Sequence, residues 1–241
     1  QRNLLLPEAH KPVIDLFINE NLSMPFNRNR VETETSGYEF FPRLLHDIAR
    51  ATRHIHIDIY IFEDDALGNL IADALRAKAR QGVEVRIIYD DVGCWKVSTG
   101  FFERMRNDGI EIEPFMPVRF PAFARRANYR NHRKIFIIDG RAGYIGGMNI
   151  AVRYVKGKSA KSGGGVWRDT MLRIEGNGVY SLQQVFLVDW YFVDRTLLSD
   201  HKYYPTLSPE DTLLTAVAPP GGGSVMLQTV ASGPSSPYPE I

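Results

Sequence analysis

The run His54-Ile-His-Ile-Asp-Ile-Tyr-Ile-Phe62 places isoleucine at every second position from 55 to 61. Successive side chains of an extended chain point to opposite sides, so this period specifies a strand with one face on a core. Residues 66–81 then switch to helical spacing, through Leu67, Leu70, Ile71, Ala74 and Leu75, with Gly82 as a stop. Residues 83–89 form a short β-branched run of the buried-strand type, and residues 101–107 and 110–115 repeat a helix and a strand. Helical periodicity also precedes the first strand, through Tyr38, Phe41, Leu44, Leu45, Ile48 and Ala49. Strands and helices alternating at this spacing predict an α/β fold, a three-layer α/β/α sandwich with a mixed, largely parallel sheet.

Beyond residue 130 the pattern changes. Residues 134–138 and 143–146 are strands, and Asp139-Gly140 between them is a hairpin signal. Residues 156–165 are a Lys, Ser and Gly loop, 166–174 a strand, and 179–193 an apolar helix. The expected organisation is a lead-in over 1–37, one domain over 38–198, and a Pro- and Gly-rich linker over 199–224. A strand over 225–230 then opens a further unit that reads as cut short at 241.

Asp64, Asp65, Asp90 and Asp91 stand where strands end, which is where such sheets bind ligands. Their plainer reading is as strand-exit and helix-capping carboxylates. His54 and His56 share a strand face and read as a metal pair without a third ligand, or as surface or packing residues. The aromatics Phe115, Phe120 and Phe123 with the basic run 125–133 read as a membrane-surface loop or as a solvated loop. A net charge of +1 leaves no global basic field and gives no reason to expect nucleic acid. Cys94 is the sole cysteine, which excludes an intrachain disulfide and a cysteine-based zinc site. No apolar run reaches the length of a membrane span, and Gln1 in place of Met gives the expectation of an upstream segment.

The densest chemistry lies in Asn131-His-Arg-Lys-Ile-Phe-Ile-Ile-Asp-Gly140 and Tyr144-Ile-Gly-Gly-Met-Asn149. His132 and Lys134 fall on one face of an extended segment, roughly 6–7 Å apart, and a phosphate fits between them. The imidazole can attack phosphorus while the ammonium binds a non-bridging oxygen. Gly146 and Gly147 allow close backbone approach, and Asn149 can donate to the same phosphate from a position where a helix could start. The phosphate-binding set is therefore His132, Lys134, Gly147 and Asn149.

The spacing His-x-Lys-x4-Asp-x6-Gly-Gly-x-Asn, from His132 to Asn149, is the signature of the phospholipase D superfamily. Ile59-Tyr-Ile-Phe-Glu-Asp-Asp65, Arg86-Ile-Ile-Tyr-Asp-Asp-Val-Gly93, Tyr129-Arg-Asn-His-Arg-Lys134 and Trp167-Arg-Asp-Thr170 further resemble the first half of bacterial cardiolipin synthases. The resemblance implies catalytic roles for His132, Lys134, Asp139, Asn149 and Asp169, with no metal and no cofactor. It implies transfer of a phosphatidyl group between two phosphatidylglycerols through a phosphohistidine, with release of glycerol. It also implies a second signature, from the same parent chain or a second copy, and Gln228-Thr-Val-Ala-Ser-Gly-Pro234 resembles the start of that half. The implied setting is the cytoplasmic face of a bacterial membrane, reached by an anchor that this chain lacks. Asp139 lies an odd number of residues from His132, which turns it from the His–Lys face, so its role is expected to be the turn or the lysine. Asp169 is the expected partner of the His132 Nδ1. Two other readings stand beside the transferase: a phosphodiesterase or nuclease that uses water, and an inactive phosphate-binding or membrane-associated half-site.

Overall fold

The computed structural model describes residues 10–21, 23–117, 130–156, 165–205 and 225–232. At its centre is β2 (His54–Ile59), in which every residue is buried. It pairs in parallel with β3 (Glu84–Asp90) and antiparallel with β5 (Lys134–Ile138). Among the described residues eight strands form one sheet in the order β4-β3-β2-β5-β6-β7-β1-β8. The others are β1 (Phe26–Glu34), β4 (Glu111–Phe115), β6 (Ala142–Gly146), β7 (Met171–Glu175) and β8 (Val225–Leu227).

The sheet is mixed, as expected, but parallel pairing is confined to β2–β3 and β3–β4. The physical reason is the connections. Only those two pairs are joined by helical crossovers, α3 (Ala66–Arg80) and α4 (Thr99–Asn107). The β5–β6 turn is a two-residue hairpin with Asp139 at φ +55° and Gly140 at φ +64°, the backbone that the Asp-Gly pair favours. The expectation of a largely parallel sheet is thus corrected.

Helices cover both faces. Ile55, Ile57 and Ile59 of β2 lie in a core with Phe40, Leu44 and Ile48 of α2 (Gly37–Arg50) and with residues of α3 and α4. On the other face Ile88, Ile135 and Ile137 meet Val179, Leu182, Phe186 and Trp190 of α5 (Val179–Asp194).

The expected lead-in contains α1 (Lys11–Asn21) and β1, an interior strand between β7 and β8. Its sequence, FNRNRVETE, is too polar to show an apolar period. Its charges are instead paired with neighbouring elements, with Arg43 of α2 3.0 Å from Glu32. The sheet therefore extends past both limits of the expected 38–198 domain, because β8 pairs with β1. The expected linker is also partly core: Tyr203 is 2% exposed. The remaining linker residues 206–224, and the loop residues 118–129 and 157–164, lie outside the described residues.

His54, His56 and Asp58 alternate with the isoleucines, yet they are buried too, beneath α5. Gln183 of α5 bridges the two imidazoles. Its Oε1 accepts from His54 Nε2 at 3.1 Å, and its Nε2 donates to His56 Nδ1 at 2.9 Å. His56 also stacks on Phe186, with ring centroids 4.4 Å apart. The two rings are thus packing residues that share one amide. Burial holds both neutral, lowering His54 below its ordinary value and His56 to about 3, against the weaker pull of Glu84.

An unfolded chain protonates these rings near pH 6.5, whereas the fold resists it. Their contribution to stability is therefore complete above about pH 6.5 and is lost as pH falls toward 3. The loss is up to about 1.4 kcal/mol per pH unit for each ring. Urea unfolding of His56→Phe should show lower stability at pH 7.5 but a shallower fall between pH 6.5 and 4. An unchanged slope would mean that His56 titrates normally in the fold.

Candidate active site

Because β5 runs against β2, the start of β5 lies beside the end of β2, with Lys134 opposite Ile59. Because β7 runs against β6, the residues before β7 lie beside those after β6. There the Gly147 N–H donates to the Thr170 carbonyl at 2.9 Å. Residues 60–65, 131–134, 146–150 and 169–170 consequently gather at one end of the sheet, beyond the carboxyl ends of β2 and β3.

His132 is exposed at this end, while Lys134 is 2% exposed. The expected gap between them is closed. Lys134 Nζ lies 2.9 Å from His132 Nδ1 and donates to the His132 carbonyl oxygen at 2.6 Å. The Tyr60 ring is shared by both, 4.4 Å from the imidazole centroid and 5.2 Å from the ammonium. Desolvation and then the neighbouring ammonium lower the His132 pKa, which favours a neutral nucleophile. Desolvation also lowers Lys134 to about 8, against the opposing fields of Asp169, Asp58 and Asp90.

Asn149 comes to the same end. Its Oδ1 accepts from the Ile61 N–H at 3.0 Å, and its amide nitrogen donates to the Tyr154 hydroxyl at 3.2 Å. An amide has two hydrogens, so one remains for a ligand. The expected helix start at Asn149 is absent: the nearest helical turn among the described residues is the 3-10 segment Val152–Tyr154. The Val152 N–H there is taken by Asp65 Oδ2 at 2.6 Å.

Gly147 is required by close packing. A Cβ on it would fall inside the Asp169 carboxylate. Asp169 accepts from the Thr170 N–H at 2.8 Å, and its field acts on both His132 and Lys134. At Nδ1, however, the structure places Lys134 rather than Asp169.

Asp139 is not in this cluster. It sits at the far end of β5, roughly 17 Å along the strand from Lys134. Its Oδ1 accepts from the N–H groups of Arg53 and His54 at 2.8 and 2.9 Å. Its Oδ2 accepts from the Thr52 N–H and hydroxyl at 2.9 and 3.1 Å. This aspartate fastens the start of β2 to the hairpin and corrects the expectation of a catalytic role.

The other expected carboxylates serve turns and caps. Asp65 Oδ1 accepts from Gly68 N at the head of α3, and Asp90 Oδ1 accepts from the N–H groups of Val92 and Gly93. Asp90 Oδ2 does more, accepting from Asn131 N at 3.2 Å. Asn131 was not singled out by the sequence pattern, yet it secures the approach to His132. It is 3% exposed, and its amide nitrogen donates to both oxygens of the buried Asp58 at 2.8 and 2.9 Å. Burial and the nearby Asp189 push the Asp58 carboxyl well above its ordinary range. Arg133 holds Asp189 at 2.9 Å. The signal for Asn131 was its position beside the signature, but a polar residue before a strand normally reads as a turn.

Residues 44–159 match the family model described as the cardiolipin synthase phospholipase D-like domain. Residues 44–159 are thus similar to a phospholipase D-like domain. Over 233 residues it is 40% identical to a cardiolipin synthase of Oceanobacillus iheyensis, covering 96% of this chain and 45% of that protein. Over 234 residues it is 37% identical to the major cardiolipin synthase of Bacillus subtilis, covering 96% and 45%. The chain thus spans about half the length of the curated relatives it matches. Among solved structures, NucT from Helicobacter pylori shares the fold with a TM-score of 0.53 and 18% identity, over 68% of this chain and 98% of that one. The phosphatidylserine synthase of Haemophilus influenzae does so with a TM-score of 0.52 and 14% identity, over 76% and 41%.

Replacing Asn131 by Ala would strip two hydrogen bonds from a buried carboxyl. The expected cost is about 2–3 kcal/mol by chemical denaturation, with a pH-dependent part that reports Asp58. Gly147→Ala should keep most of that stability while displacing Asp169, so its loss should appear in activity. A Gly147→Ala variant with full activity would contradict the tight packing at this position.

Proposed function

We propose that this chain is the N-terminal half of a cardiolipin synthase, with His132 as the nucleophile that carries the phosphatidyl group. The observation that carries this reading is the pairing of an exposed imidazole with a buried ammonium at the strand ends. The similarity to cardiolipin synthases supports the substrate class.

In the unliganded geometry Lys134 donates to Nδ1, which leaves the ring hydrogen on Nε2. An anionic phosphodiester draws the ammonium to its own oxygens. The ring hydrogen then moves to Nδ1, where the Asp169 carboxylate accepts it, and Nε2 offers its lone pair to phosphorus. The remaining Asn149 amide hydrogen and Lys134 hold the phosphoryl oxygens as charge builds. Attack forms the Nε2–P bond and breaks the P–O bond to the glycerol headgroup. The departing oxygen takes a proton from the imidazolium of a second half-site. The hydroxyl of a second phosphatidylglycerol returns that proton and displaces His132, giving cardiolipin.

The second half-site comes from the same parent chain or from a second copy. We assign its approach to a cavity of about 260 Å³ beside Lys134, lined by Arg133, Ile145, Gly146 and Val185. No helix among the described residues is long and apolar enough to cross a membrane. We assign lipid contact to the surface at the cradle end. Trp95 and Trp167 support such contact. They are 76% and 46% exposed, in the segments that follow β3 and precede β7 at the cradle end. The same reading sets the reaction at the cytoplasmic face of a bacterial membrane. No cofactor or nucleic-acid partner enters this mechanism.

The test gives the complete protein phosphatidylglycerol vesicles, with His132→Ala as the comparison. Wild type should release glycerol and form cardiolipin, and the variant should be slower by about 10³-fold or more. Phosphatidic acid without cardiolipin would make the enzyme a hydrolase instead. The pH profile of kcat/KM should fall on the alkaline side near pH 8, as Lys134 loses its proton. Lys134→Arg should lower the rate and move that limb to higher pH.

A further inference from the structure

At the opposite end of the sheet from His132 lies a second basic site. A cavity of about 470 Å³ is bounded by the last turns of α2, the Asp139 hairpin, the middle of β1, the start of β6 and the end of β7. This volume falls within the range of small-ligand pockets. Among the described residues six arginines line it: Arg30, Arg43, Arg50, Arg53, Arg141 and Arg173. His46 joins them, and the lining carboxylates are Asp47, Asp139 and Glu175.

Those carboxylates are committed elsewhere. Asp47 accepts from Arg173 Nε at 2.8 Å and from the Tyr144 hydroxyl at 2.5 Å. Glu175 takes Arg173 Nη2 at 2.8 Å. Asp139 is filled by its donors from residues 52–54. Arg30 and Arg43 are in turn paired with Glu32, which lies on β1 beside the cavity.

Arg50 and Arg53 differ. Both are exposed, and among the described residues neither guanidinium has an ion pair or hydrogen bond. They flank the end of α2 and the start of β2, three positions apart, on the rim of a cavity whose negative charges are already used. Two planar guanidinium forks on that rim suit the tetrahedral oxygens of a phosphate, which they can grip bidentately. The Asp139 hairpin fixes the spacing, because it pins the backbone of Arg53.

We propose that this cavity is a phosphate-binding site separate from the His132 cradle, gripped by Arg50 and Arg53. Its ligand is a phosphate-bearing anion, from a phospholipid headgroup or from a free phosphate. The site does not depend on the reaction assigned to His132.

The experiment titrates the complete protein with inorganic phosphate and with glycerol 1-phosphate, following the melting temperature against chloride of equal ionic strength. A matched arm measures binding to vesicles containing phosphatidylglycerol. The variants are Arg50→Glu/Arg53→Glu, the milder Arg50→Gln/Arg53→Gln, and His132→Ala. The site predicts a phosphate-dependent rise that His132→Ala retains and that both arginine pairs weaken by about tenfold or more. If free phosphate competes with vesicle binding through these arginines, the lipid headgroup is the source. If the arginine variants lose only the free-anion response, the source is soluble phosphate. A response untouched by both arginine pairs, or no response in wild type in either arm, overturns the proposal, whatever the product assay shows for His132.

Discussion

Everything at the candidate active site hangs on the antiparallel pairing of β5 with β2. On one side of that junction the chain advances by helical crossovers, and on the other it doubles back, by a two-residue hairpin from β5 to β6 and by residues 147–170 from β6 to β7. The change of direction brings the end of β2 to the start of β5, and the residues after β6 to those before β7. A largely parallel sheet would have put the starts of β5 and β7 at the end remote from Tyr60. The histidine, lysine and asparagine meet because the hydrogen-bond ladder makes their strand ends neighbours.

Electrostatics then does the tuning. Lys134 is a buried cation with no carboxylate bonded to it among the described residues, held against a carbonyl and an imidazole. Asp58, Asp90 and Asp169 act on it through space. Asp58 and Asp90 are themselves tied to Asn131, so the carboxylates that moderate the cation also fix the strand that bears it. Full neutralisation by a bonded carboxylate would have spent the attraction that a phosphate needs.

Much of this was legible beforehand. The alternation in residues 54–62 identified the central strand, the helical runs identified α2, α3 and α5, and Asp139-Gly140 identified the hairpin. The signature residues His132, Lys134, Gly147 and Asn149 do assemble. What escaped were features set by partners far away in sequence. The polar β1 is a strand because β7 and β8 supply its ladder. His54 and His56 are buried because Gln183 reaches them across 129 and 127 residues. Asp139 belongs to the signature by spacing alone, and only the strand length shows that it serves the opposite end of the sheet.

That separation gives the signature a second meaning. Its histidine and aspartate mark the two extremities of β5, with the strand between them acting as a ruler. A residue added to or removed from that stretch would change more than the local fit. It would invert which side chains face α5, and it would pull either the hairpin off β2 or the imidazole away from its lysine. The motif is a gauge of length as well as a set of reactive groups, and a chain that kept every chemical group but lost the count would keep neither end in place.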